Sequence, residues 1–67
     1  MNYVIYSTRI KHGEGLLHHR EFKTPGRALK AAAALHGIDN DLIIWIMIRH
    51  ETGMLEKYKT CYDGGMR

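Results

Sequence analysis

The sequence predicts an α+β domain: an antiparallel four-stranded sheet in ββαββ order with one helix packed on one face. Three observations lead there. Residues 42–48, Leu-Ile-Ile-Trp-Ile-Met-Ile, are seven apolar residues in a row in a chain of 67. Thr24-Pro25 is a strong helix start. The other apolar residues lie mainly in short β-branched or aromatic segments bounded by glycine-containing turns. The seven-residue run reads as the central strand, because its β-branched and aromatic content and the turn signals at 37–41 and 51–53 outweigh a helical reading. It is far too short to span a membrane. Alternation along a strand sends Leu42, Ile44, Ile46 and Ile48 to one side and Ile43, Trp45 and Met47 to the other. Both faces are apolar, and a single helix covers only one. The helix is expected on the isoleucine side, where small alanines approach β-branched side chains closely, leaving Trp45 and Met47 toward solvent or a partner.

Taken in order, residues 3–10 form a first strand, with Val4, Tyr6, Thr8 and Ile10 on one face and Tyr3, Ile5, Ser7 and Arg9 on the other. Lys11-His12-Gly13-Glu14-Gly15 supplies the glycines of a hairpin loop. Residues 16–23 follow as an edge strand, whose charged side chains discourage further pairing. Thr24 then serves as N-cap and Pro25 as N1 of a helix over 25–36. Gly37 is expected at C′, with Ile38 folding back onto the last turn in a Schellman motif. The alanine run at 31–34 keeps the helix thin. After the Asp39-Asn40-Asp41 turn and the central strand, residues 54–62 form a last strand, Met54, Glu56, Tyr58, Thr60 and Tyr62 alternating with Leu55, Lys57, Lys59 and Cys61. The domain therefore spans 1–62, and 63–67, with two glycines and little to bury, reads as a flexible C-terminal tail.

A domain of this length buries only about 60% of the surface its unfolded chain exposes, so its stability is expected to be marginal. The lone Cys61 excludes an internal disulfide, and the chain start has no signal-peptide pattern; a cytoplasmic protein is expected. The net charge is +3, unevenly spread. Residues 1–36 carry six basic groups against two acidic ones, and residues 37–67 carry four against five. Such a basic half attracts nucleic acid or an acidic protein surface, or simply keeps the chain soluble.

Five histidines raise the question of a metal. His18 and His19 are strand neighbours that point to opposite faces, and there is neither a second cysteine nor a helical His pair. A cross-strand pair such as His18 with His50 is the remaining arrangement; the reading is no metal and no cofactor. His36 is more simply a partner of the helix dipole. Cys61 has no helix N-terminus or glycine elbow to present it, and Gly13-Glu14-Gly15 lacks the lysine and following helix of a phosphate loop. With little volume for a deep pocket, the reading is not an enzyme. Lys11, His12, Arg20, Lys23, Arg27 and Lys30 are placed to line one edge of the domain, from the first hairpin loop to the outer helix surface. Arg27 is informative, since a cation in the first helical turn opposes the dipole. The tyrosines offer stacking platforms to bases, or cross-strand packing.

The layout resembles small phage-encoded anti-CRISPR proteins in the helix at 24–36, the strand at 44–49 and the Thr52-Gly53 turn. A double-stranded RNA-binding domain fits less well, because no helix precedes the first strand. The resemblance implies a non-enzymatic inhibitor in the host cytoplasm that occupies a nucleic-acid-binding surface of a CRISPR effector complex. On this reading Trp45, Met47, Arg20, Lys23, Arg27 and Lys30 meet the partner. A second reading is direct DNA or RNA binding through Arg9, Lys11, Arg20, Lys23, Arg27 and Lys30. A third is a structural homodimer.

Overall fold

In the computed structural model, described for residues 1–9 and 17–63 with the side chains of 17–19 set aside, the element order is β1 (Asn2–Thr8), β2 (Leu17–Phe22), α1 (Pro25–Ile38), β3 (Ile43–Arg49) and β4 (Leu55–Asp63). The strands form one antiparallel sheet in the order β2-β1-β3-β4. The apolar run thus lies inside the sheet, and β2 is an edge strand as its charge predicts. The hairpin loop, including Lys11, His12 and Glu14, and residues 64–67 of the expected tail lie outside the described residues. Asp63, assigned from sequence to that tail, belongs to β4 opposite Ile43.

Helix α1 lies on the isoleucine face. Ala28 and Ala32 pack against Ile5, Leu42, Ile44 and Ile46, with Tyr3, Phe22, Leu29, Leu35 and Tyr62 around them. Ile44, Ile46, Ala28 and Ala32 have no exposed surface. The helix begins as its sequence requires: Thr24 is extended and its hydroxyl accepts a hydrogen bond from the Arg27 N–H at 3.4 Å. Its end departs from expectation. Gly37 stays helical, and the last turn closes at Asp39, which is extended and donates its N–H to the Leu35 carbonyl. There is no Schellman turn, and Ile38 is 83% exposed instead of folding back. Asp39 supplies the alternative ending. Its carboxylate accepts the Asp41 N–H at 3.0 Å and forms an ion pair with Arg9 beyond the end of β1, so the chain reverses without a left-handed residue.

The second reversal uses glycine as predicted. Gly53 has φ +89° and is the one positive-φ position among the described residues. Its N–H bonds to the His50 carbonyl at 2.9 Å, and the His50 N–H bonds to the Met54 carbonyl at 2.9 Å. This matches a type I turn followed by a left-handed residue. Across the same turn the His50 ring lies 2.8 Å from the Glu56 carboxylate.

Strict alternation along β4 does not survive pairing. Two irregularities interrupt its register with β3, so Trp45 faces Thr60 while Ile44 faces Tyr62, and Met47 faces Lys57 while Ile46 faces Lys59. Each extra residue, Cys61 and Tyr58, shifts the side chains beyond it to the other face. Lys57 and Lys59, predicted on one face, therefore fall on opposite faces. Register also shifts in the β1–β2 pair, between Val4 and Tyr6.

Candidate functional site

The residues predicted to meet a partner form two separate surfaces. Trp45 and Met47 lie on the sheet face away from the helix, while Arg20, Lys23 and Arg27 gather at the junction of β2 and α1. Lys30 is exposed on α1, one turn beyond Arg27.

On the open face the register places Tyr6 opposite Trp45, and their rings stack at 6.0 Å with 18° between planes. Met47, opposite Val4, and Leu55, opposite Arg49, complete a shallow apolar cleft of about 270 Å³ lined by Tyr6, Trp45, Met47 and Leu55. Val4 is fully buried although it is not in the helix-side core. The open face thus has a small apolar layer of its own. Trp45 and Met47 are half-buried and Leu55 is 41% exposed. At one end Glu21 is held by two neighbours, the Arg49 guanidinium at 3.1 Å and the Asn2 amide, which donates at 3.0 Å. Lys57, exposed and opposite Met47, forms no ion pair among the described residues.

At the other surface, Arg20, Lys23 and Arg27 line an open cleft of about 430 Å³ together with Glu21, Phe22 and Thr24. All three cations are exposed, and none has an ion-pair partner among the described residues. The Arg20 guanidinium sits 5.6 Å from the centre of the Phe22 ring. The first turn of α1 has no acidic residue, so Arg27 adds to the positive end of the helix dipole with nothing offsetting it. The cleft runs into a second groove of about 340 Å³ between β2 and α1, with Arg20 and Phe22 shared and Ala31, Ala34, Leu35 and Ile38 along the helix side.

The remaining candidates are used inside the fold. Arg9 is paired with Asp39 and only partly accessible. The tyrosines find ring partners: Tyr3 meets Tyr58 edge-on at 5.4 Å, and Tyr62 stacks on His36 at 3.9 Å. His36 is in the last turn, as the dipole argument asks, but its ring is given over to that stack. The β1–β2 register sets His18 at the level of Tyr6 and Trp45, away from His50, so the strands do not bring that pair together. No group of three metal-binding side chains occurs among the described residues, and among them no helix is long and apolar enough to cross a membrane. The β2–α1 groove is not legible in the sequence: its one signal there is the smallness of Ala31 and Ala34, which equally suits close helix–sheet packing. Comparison with known proteins finds no significant match to this chain, whether among family models, curated proteins or solved structures.

Proposed function

We propose that the chain is a small non-enzymatic binding protein of the cytoplasm that acts by covering a surface of a larger protein with the open face of its sheet. The observation that carries this reading is the apolar cleft of Tyr6, Trp45, Met47 and Leu55 on the face opposite the helix. Trp and Tyr contribute strongly at interfaces because they bury a large area with little loss of rotamer freedom, and Met adapts to irregular surfaces. The chemistry of the rim favours a different protein over a second copy. A copy would bring its own unpaired Lys57, while the carboxylates that this face carries among the described residues, Glu21 and Asp63, already have partners. The fitting partner offers an apolar centre with acidic groups at its edge.

In its most concrete form the proposal is a phage-type, anti-CRISPR-like inhibitor of an effector complex. Such an inhibitor occupies a nucleic-acid-binding surface of the complex, the apolar sheet face making the contact and acidic groups of the partner meeting Lys57 at its rim. Plating efficiency of a targeted phage on CRISPR-immune hosts, tested across effector classes with the full chain expressed, checks that form; no restoration of plaques in any class overturns it. With the responsive effector purified, Trp45→Ala is expected to weaken binding by about thirtyfold, the loss typical of a hot-spot aromatic. Unchanged binding removes the sheet face from the proposal. Sedimentation of the free chain tests the copy reading: a dimer dissociated by Trp45→Ala would replace the foreign partner with a second copy.

A further inference from the structure

The groove between β2 and α1 lies on the side of the sheet away from the surface just proposed, and it has a ligand chemistry of its own. Its floor is apolar: Ile5 and Phe22 from the sheet, Ala31, Ala34, Leu35 and Ile38 from the helix. The groove exists because Ala31 and Ala34 are small where longer side chains would close α1 onto β2. Because β2 is the sheet edge, no strand pairs with its outer side among the described residues, and Ile38 stands exposed at its far end. At the near end Arg20, Lys23 and Arg27 converge with no carboxylate among the described residues to neutralise them. Glu21, the one acid in that cleft, is already engaged by Arg49 and Asn2 on the open face.

We propose that this groove binds an extended acidic peptide segment, one apolar side chain entering between Phe22, Leu35 and Ile38 and neighbouring carboxylates meeting Arg20, Lys23 and Arg27. Charge complementarity selects the occupant. Guanidinium groups bind carboxylates through paired, charge-assisted hydrogen bonds, and Arg20 is already held over the apolar floor by Phe22. A nucleic-acid strand fits less well. It needs cations along its whole path and faces for its bases, whereas among the described residues the cations sit at one end and Phe22 is the single aromatic ring of the groove. A floor of about 340 Å³ accommodates one or two aliphatic side chains, and an open groove suits a main chain that remains solvated.

The test is fluorescence anisotropy on the full chain with three labelled probes: a peptide alternating Glu and Leu, a Lys–Leu counterpart, and an oligothymidylate of matched charge. The Glu–Leu peptide is expected to bind best, and Arg20→Glu and Ala34→Trp are each expected to weaken it by at least about tenfold. Both positions are exposed, and circular dichroism of each variant checks that the fold is kept. Trp45→Ala, on the opposite face, is expected to change peptide affinity by less than about twofold, which separates this site from the sheet-face surface. Three results overturn the proposal: no binding of the Glu–Leu peptide, equal binding of the Lys–Leu peptide, or tightest binding of the oligothymidylate with sensitivity to Arg20→Glu but not to Ala34→Trp. The last would assign the cations to nucleic acid.

Discussion

At Cys61 the register irregularity in β4 has a chemical consequence. The thiol is the extra residue between the Ile44–Tyr62 and Trp45–Thr60 pairs, and it packs against the helix-side core. Burial raises its pKa above the ordinary 9.0, and nearby Lys59 offsets part of that rise. Two effects follow. The folded chain holds less thiolate than the unfolded chain, so iodoacetamide should react with Cys61 more slowly in the native protein at pH 8 than in urea. The sign for stability follows from proton linkage: above pH 9 the unfolded chain releases this proton more readily than the native one. The contribution of Cys61 is therefore fully present below the unfolded value and declines as pH rises past it. Chemical melts of the wild type and Cys61→Ala isolate the effect, with the gap between them shrinking from pH 8 to pH 10; a constant gap means the thiol titrates normally. Arg9 shows the same dependence of role on neighbours. In sequence it is one more cation for phosphate, and in the structure its charge is spent on Asp39 at the end of α1.

Helix α1 gives the clearest contrast between what its residues announce and what they do. Thr24 and Pro25 define its start through atoms of the first turn alone, so that end was readable from sequence. Gly37 was not. Whether a glycine turns left-handed or continues a helix depends on what receives the chain next, and here Asp39 caps the turn with its own carboxylate contacts. Substitution separates the two readings by sign. Because Gly37 is helical and a Cβ there meets nothing within 4 Å, Gly37→Ala should stabilise the protein by about 0.5–1 kcal/mol in thermal or urea melts. Destabilisation would restore the left-handed cap. Gly53→Ala, at φ +89°, should instead destabilise by about 1 kcal/mol or more. The same limit applies to β4. Alternation is a property of one strand, whereas Cys61 and Tyr58 become extra residues only through pairing with β3. The candidate site was legible in its parts and not in its assembly. Parity separates Trp45 from Ile44, but only the packing of α1 puts Arg20, Lys23 and Arg27 on the opposite side of the sheet from Trp45.

For the whole molecule, the question is how a chain of 67 residues divides its apolar side chains between stability and contact. The helix-side layer is dry: Ile44 and Ile46 are fully covered by Ala28, Ala32 and their neighbours. The open-face layer is thinner, with Val4 covered but Trp45, Tyr6 and Met47 only half-buried. Truncation costs track what is already removed from water and how well the site can collapse. Ile46→Ala leaves a cavity closed by packed side chains and should cost about 2–5 kcal/mol, a large share of the stability of so small a domain. Trp45→Ala removes a bigger side chain, yet one whose outer surface stays wet in the free protein and whose loss Tyr6 and Met47 can partly fill. It should therefore cost the isolated chain less than Ile46→Ala, despite the reverse order of size. Thermal melts of the two variants, with acrylamide quenching of Trp45 in the wild type, decide the matter. Trp45 held in reserve for a partner predicts accessible fluorescence and the smaller loss of stability. Quencher-resistant fluorescence together with a loss matching or exceeding that of Ile46→Ala would make Trp45 a core residue, and the open face would cease to be a contact surface.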